Sequence, residues 1–86
     1  MMVANTMENT LLEPIRGLCA EVFGVDLSLV NPETQFGELP QWDSMGHMDL
    51  MVALEDRFGI EINAETITEL ISIPAILAHL QKKQNA

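Results

Sequence analysis

Residues 42–62 read WDSMGHMDLMVALEDRFGIEI. From Ser44 to Phe58 the apolar side chains recur every three or four positions, which is the spacing of one face of an α-helix, and Gly59 supplies a stop signal. At roughly 100° per residue, one arc of this helix collects a set of residues typical of a core face. These are His47, Leu50, Met51, Leu54 and Phe58. The pattern predicts a helix over 44–58 that is buried on one side.

A second apolar stripe lies on a different arc of the same helix, at roughly 40–100° from Ser44. It consists of Met45, Met48 and Val52. The acidic residues that border it are Asp49, Glu55 and Asp56. A wide core could absorb this stripe, but methionine is flexible and suits surfaces that accept several partners. We therefore interpret it as a docking surface.

Helical periodicity continues on both sides of this segment. Upstream, it predicts a first helix from about Thr10 to Phe23, with Thr10 and Glu13 as a capping box and Gly24 as the stop. Downstream, Asn63 can cap a short helix over about 64–70, and Ser72 can cap a last helix. No alternating strand pattern occurs, so the sequence predicts an all-α fold of four helices.

A long loop from Val25 to Asp43 connects the first two helices. Loops of this length are uncommon in compact domains unless they are functional or held by their apolar residues. The predicted anchors are Leu27, Val30, Phe36 and Leu39. Trp42, at the end of the loop, is more typical of packing than of recognition.

Length and charge limit the function. The chain has 86 residues and a net charge of −9, which indicates one small domain over residues 1–86, with 1–9 and 83–86 expected to fray. Between Arg16 and Arg57 there are eight acidic residues and no Lys or Arg. Binding to nucleic acid or to a membrane surface requires a basic footprint, so both are excluded.

The cysteine content and the N-terminal residues indicate the compartment. Cys19 is the only cysteine, so there is no disulfide framework and no zinc-finger spacing, and no metal ligands are predicted. Residues 1–6 lack the cationic start and apolar run of a signal peptide, and no segment is long enough to span a bilayer. We expect a cytoplasmic monomer with Cys19 buried in the first helix.

Ser44 lies at the junction of the long loop and the second helix. It could be a plain N-cap, which is the ordinary role of a serine at a helix start. A hydrolase nucleophile is a poor alternative, because the segment lacks the first glycine of G-x-S-x-G and no strand precedes it. Asp43, Ser44 and His47 also make a poor catalytic triad. No catalytic residues are predicted.

Residues 42–50 and 53–62 together resemble acyl carrier proteins, in which Asp-Ser-Leu or Asp-Ser-Met opens the second helix. The similarity covers nearly the whole chain. The resemblance implies a four-helix carrier with a long first loop and a short third helix, and it implies no enzymatic activity. It further implies that Ser44, with Asp43 beside it, receives 4′-phosphopantetheine from coenzyme A through a phosphopantetheinyl transferase. The thiol of that arm then holds an acyl or aminoacyl group as a thioester.

The resemblance also implies partners and the surface that meets them. Met45, Met48 and Val52 match positions where carriers touch partner enzymes. The acidic positions that match residues meeting basic grooves are Asp43, Asp49, Glu55 and Asp56. The implied partners are the transferase, an acyl-loading ligase or transferase, and downstream acyl-processing enzymes.

Departures from the family pattern concern the pathway. Many fatty-acid carriers have Gly-x-Asp-Ser-Leu where this chain has Pro40-Gln41-Trp42-Asp43-Ser44-Met45, and Gly46 and His47 replace polar or acidic residues. We favour a carrier of a specialised pathway, such as polyketide, hybrid peptide or unusual acyl biosynthesis. Carriage of D-alanine for cell-wall modification and fatty-acid synthesis are the alternatives. An acidic helical adaptor that binds a basic protein and is never modified is an alternative of a different class.

Overall fold

Four α-helices form the structure, a computed structural model that describes the backbone of residues 3–85 and the side chains of residues 11–83. They are α1 (Val3–Phe23), α2 (Ser44–Phe58), α3 (Ala64–Glu69) and α4 (Ile73–Asn85), with a 3₁₀ turn at Leu27–Leu29. Within the described residues there is no strand, only an isolated antiparallel bridge between Gln35 and Ser72. The predicted all-α architecture, with its long loop and short third helix, is confirmed. None of the helices described is long and apolar enough to cross a membrane.

Local signals define most helix ends. Gly59 ends α2 in the left-handed conformation at φ +72°, which a residue with a side chain rarely adopts. Asn63 and Thr66 form a reciprocal capping box at the start of α3. The Ser72 hydroxyl accepts the amide of Ala75 at 3.1 Å and so caps α4. These three predicted boundaries are confirmed.

The start of α1 was predicted wrongly. The helix begins at Val3 rather than Thr10, so Thr10 does not cap it and Pro14 lies in its interior. Residues 3–9 contain neither glycine nor proline, so nothing in the chain stops the helix from extending upstream. The expected fraying of residues 1–9 and 83–86 stays a prediction, and residues 1, 2 and 86 lie outside the described part.

The core lies where α1 packs against α2 and α4. Burying these apolar side chains is the main driving force for assembling the bundle. The predicted core face of α2 is confirmed, with Leu50, Met51 and Leu54 fully buried and Phe58 half-buried. Cys19 is also fully buried, as expected. Among the described side chains, the other fully buried apolar residues are Ile15, Val30, Trp42, Ile60, Leu70, Ile73 and Ile76.

The loop between α1 and α2 is fixed differently from the prediction. Val30 is buried and Leu39 half-buried, but Leu27 and Phe36 are exposed rather than anchored in the core. Polar contacts also hold the loop against α1. The Arg16 guanidinium donates through Nε to the carbonyl of Val30 at 2.6 Å and through Nη2 to that of Leu27 at 3.3 Å.

Backbone hydrogen bonds also join this loop to the connection between α3 and α4. The amide of Phe36 donates to the carbonyl of Ile71 at 2.8 Å, and the amide of Ile73 donates to that of Thr34 at 2.9 Å. The paired residues are 35 and 39 positions apart in the chain. The loop is therefore held against the bundle near its beginning and in its middle.

Candidate functional site

Ser44 is the first residue of α2, and its side chain is exposed. The N-cap is Asp43, whose Oδ1 accepts the amide of Gly46 at 2.9 Å. The interpretation of Ser44 as a plain N-cap is therefore wrong, because a carboxylate one residue earlier satisfies the free amide of the first turn. The Ser44 hydroxyl is therefore not needed to cap the helix.

Gly46 allows the loop to approach the helix closely. A Cβ built at this position would overlap the backbone carbonyl oxygen of Gln41 and would also contact the Asp43 carboxylate at 3.4 Å. A backbone atom cannot give way as a flexible side-chain end can. Gly46 thus maintains the tight turn that presents Ser44, a role that the sequence pattern had not revealed.

The three serines of the chain differ in their surroundings. The hydroxyl of Ser28 donates to Asp26 Oδ2 at 2.5 Å, and that of Ser72 caps α4. No hydrogen bond of the Ser44 hydroxyl is formed with any described residue. Of the three, Ser44 is the exposed serine whose hydroxyl forms no hydrogen bond with a described residue.

The two apolar arcs of α2 are separated as the sequence predicted. Met45, Met48 and Val52 are 79%, 45% and 60% exposed, whereas Leu50 and Leu54 on the other arc are fully buried. The stripe therefore is not part of the core. The acidic residues Asp49, Glu55 and Asp56 are also exposed, and they line one shallow depression together with Val52 and Ala53.

These predicted site residues come together because they lie on one helix. Asp43 and Ser44 stand at its N-terminal end, and the stripe and its acidic border follow along its exposed side. The positive charge nearest to this border along the helix, Arg57, faces Glu21 of α1 at 3.6 Å. The exposed side of α2 thus combines apolar and negatively charged groups.

Beneath Ser44, one buried histidine connects three segments. His47 Nδ1 lies 3.1 Å from Trp42 Nε1, and His47 Nε2 lies 2.7 Å from the carbonyl oxygen of Ile67 in α3. An indole nitrogen can only donate, so Nδ1 accepts, and Nε2 carries the proton that it donates to Ile67. With both nitrogens engaged, His47 cannot act as a base for Ser44. The rejection of a catalytic triad thus gains a structural reason.

Phe36 and Ile71 are exposed apolar residues near His47 and in the connection before α4, and the sequence analysis did not single out Ile71. Both are more than 40% exposed, and the ring of Phe36 meets that of His47 edge-on with centroids 5.6 Å apart. Phe36 was predicted to anchor the loop in the core. That prediction is wrong, because a loop phenylalanine carries no local sign of which neighbours will cover it. Their pairing depends on a backbone bond across the fold, which no local signal indicates.

Comparison with known proteins decides the family. A model of the family described as phosphopantetheine attachment site matches residues 13–80. The chain is 32% identical over 76 residues to an acyl carrier protein of Thermosynechococcus vestitus, covering 88% of this chain and 94% of that protein. It is also 32% identical to an acyl carrier protein of Helicobacter pylori, over 88% of this chain and 97% of the other.

The chain belongs to the acyl carrier protein family. An acyl carrier protein is a non-catalytic carrier, and membership implies a covalently attached 4′-phosphopantetheine. It also implies interaction with a phosphopantetheinyl transferase and with acyl-processing enzymes. The resemblance drawn from residues 42–62 is confirmed.

The first turn of α2 fits the phosphate of that group. The amide of Gly46 is taken by the Asp43 side chain, and the amide of His47 by the Asp43 carbonyl. The amides of Ser44 and Met45 find no acceptor among the described residues. Free amides and the helix dipole favour an anion at this end, which offsets the nearby carboxylate of Asp43. This acyl carrier protein can therefore hold a phosphodiester beside an exposed serine.

Proposed function

We propose that Ser44 is the attachment residue for 4′-phosphopantetheine, and that Asp43 shapes the turn that presents it. The observation that carries this proposal is the free, exposed hydroxyl of Ser44 at the first residue of α2. The other two serines are engaged in local hydrogen bonds. The chain would then present an acyl or aminoacyl thioester at the end of a flexible arm. Such tethering makes delivery effectively intramolecular without a catalytic group on the carrier.

The exposed side of α2 is the surface that we assign to partner enzymes. Apolar side chains supply contact area, and the surrounding carboxylates attract basic grooves. The residues are Met45, Met48, Val52, Asp49, Glu55 and Asp56. They would meet the transferase, an acyl-loading ligase or transferase, and downstream acyl-processing enzymes. We further propose that residues 1–86 form a single domain and that the protein is a cytoplasmic monomer.

For the pathway we propose specialised biosynthesis of a polyketide, hybrid peptide or unusual acyl product. Its support is the buried, hydrogen-bonded pair of Trp42 and His47. At the position of His47, polar or acidic residues are common in fatty-acid carriers. Mass spectrometry of the protein isolated intact with its cargo tests this assignment. A D-alanyl thioester or a series of ordinary fatty acyl groups would favour the alternatives instead.

The attachment site is tested by incubation with coenzyme A and a broad-specificity phosphopantetheinyl transferase. Intact mass should show one arm on the wild type, one on Ser28→Ala and none on Ser44→Ala. Ser28→Ala is the matched control, because it removes another exposed serine hydroxyl. Persistent labelling of Ser44→Ala contradicts the assignment, and absence of labelling in every variant favours the unmodified adaptor.

A further inference from the structure

The core beside Ser44 is closed by the buried ring of His47, which lies one helical turn after Ser44 and is only 5% exposed. One side of the ring is hydrogen-bonded to Trp42 of the loop and the other to the carbonyl of Ile67 in α3. Anything that passes from Ser44 into the space between α2 and α3 at this level must displace the ring. Displacement would leave a buried indole donor and a carbonyl without partners, which is unfavourable.

Aromatic contacts surround this bridge. The Trp42 ring is fully buried, with its centroid 5.2 Å from that of Phe23 in α1 and 6.3 Å from that of His47. Phe36 meets the other edge of the histidine. Because Phe36 is bonded to Ile71 through its backbone, the loop cannot swing away without breaking that bond. The loop, α2 and α3 therefore meet at His47, and α1 joins them through the contact of Phe23 with Trp42.

Apolar side chains of α2 and of the segments flanking α3 are buried. Leu50, Leu54 and Leu70 are completely buried, and Ile60 is 1% exposed. Protein interiors are close-packed, so such a core accepts an added chain only by rearranging. The cleft between α3 and α4 is lined by polar and charged residues. These include Glu61, Glu65, Glu69, His79, Lys82 and Lys83.

We infer that the Trp42–His47–Ile67 bridge keeps the cargo of this carrier outside the helical bundle, which suits it to short or polar acyl groups. The inference rests on the proposed attachment at Ser44. An apolar chain left in water is disfavoured in proportion to its exposed area, so a long fatty acyl group is a poor cargo for such a carrier. Short, hydroxylated or amino-substituted acyl groups carry little of that penalty.

The test compares wild-type protein loaded with acetyl, butyryl and octanoyl arms, each loading verified by intact mass. A ligand bound in the fold raises the thermal midpoint, whereas one in solvent does not. We expect the three midpoints to agree within about 2 °C. A pantetheine arm that ends in an environment-sensitive fluorophore should emit as it does in water. A midpoint that climbs with chain length, or a blue-shifted emission, overturns the inference.

Variants of the Trp42–His47–Ile67 bridge test whether it is this bridge that excludes the cargo. His47→Ala removes the bridge, so the octanoyl form should melt several degrees above the acetyl form and the fluorophore should shift to the blue. Arg57→Ala, which truncates an exposed residue of α2 outside the proposed partner surface, should show the same midpoints and emission as the wild type. If His47→Ala does not fold without cargo, Trp42→Phe removes the indole donor and retains an aromatic ring. Chain-length independence in the folded bridge variant overturns the assignment of the barrier to this bridge.

The same samples separate the two proposals. A wild type that takes no arm at Ser44 overturns the proposed function and the inference with it. A wild type that is loaded at Ser44, and whose midpoint depends on chain length, overturns the inference alone. The thermal midpoint and the fluorophore emission are read after loading, so they do not depend on any further enzyme activity.

Discussion

Trp42 donates its indole N–H to Nδ1 of His47 at 3.1 Å, and both side chains are buried. This bond ties the last residues of the loop to the first turn of α2, just where Ser44 is presented. The same histidine reaches α3, so a single side chain aligns three segments around the turn that carries Ser44. The position of Ser44 therefore depends on tertiary contacts as well as on the helix that contains it.

Trp42→Phe should destabilise the fold by about 1–3 kcal/mol, because it leaves a buried histidine nitrogen without a donor and removes part of a packed ring. Met48→Ala, an exposed truncation on the same helix, should stay within about 0.5 kcal/mol of the wild type. Urea unfolding at constant pH measures both. Equal stabilities for the two variants would show that the Trp42–His47 bond contributes nothing.

Gly46→Ala should also be destabilising, by about 1–3 kcal/mol, because its Cβ would overlap the Gln41 carbonyl. A glycine-to-alanine change inside a helix ordinarily stabilises it by about 0.5–1 kcal/mol. Gly17→Ala in α1 is the matched control, since a Cβ there meets nothing within 4 Å. Denaturant melts should give opposite signs for the two variants. A stabilised Gly46→Ala would mean that the turn relaxes freely.

The exposed stripe should matter for binding and not for folding. Met48→Ala and Val52→Ala should each change the free energy of unfolding by no more than about 0.5 kcal/mol, whereas Leu54→Ala should cost about 2–5 kcal/mol as a core cavity. Transferase kinetics per folded molecule should show the reverse order. The docking assignment fails if the stripe variants unfold like Leu54→Ala while their modification rate is unchanged.

Charge reversal at the border of the stripe should slow association with a basic partner. Asp49→Lys and Asp56→Lys remove attraction that acts on the encounter, so the association rate should fall while the dissociation rate changes little. The loss should shrink between low salt and about 0.15 M salt, where the Debye length is about 8 Å. Stopped-flow binding to the transferase measures both rates. Glu33→Lys, an exposed reversal in the loop, is the control for net charge.

Cys19 should make the fold sensitive to alkaline pH. Burial raises the pKa of its thiol from 9.0 to about 12, because the thiolate would lose its hydration. The unfolded chain releases this proton first, so the stability from Cys19 is complete below about pH 9 and is lost as the pH rises toward 12. Unfolding free energy should fall more steeply with pH in the wild type than in Cys19→Ala. Equal slopes would contradict this.

The same burial separates Cys19 from the thiol of the prosthetic arm. Because the thiolate is the reactive form, native Cys19 should react slowly with a thiol reagent at pH 8. A phosphopantetheinylated sample should therefore show one fast thiol, and the apo-protein none. Fast reaction of native apo-protein would show that α1 opens readily.

Much of the fold follows from the sequence alone, because helix periodicity and caps are local. The buried arc of α2, its end at Gly59 and the caps at Asn63 and Ser72 each depend on residues within about one turn of each other. The exposure of the stripe follows from the same angular spacing of residues around α2, since one helix cannot bury both arcs against a small core. Ser44 was likewise identifiable from the motif at the start of this helix.

Only the tertiary structure decided how the turn that carries Ser44 is held. Asp43 rather than Ser44 caps α2, and Gly46 is required by a carbonyl that comes from the loop. His47 and Ile67 are twenty positions apart, and no periodic pattern reports which carbonyl a buried imidazole will meet. Phe36 is exposed for the same reason, because burial of a loop residue depends on which distant segments fold over it. Local hydrogen bonds determined the helices of this carrier, whereas packing between segments distant in the chain determined the environment of Ser44.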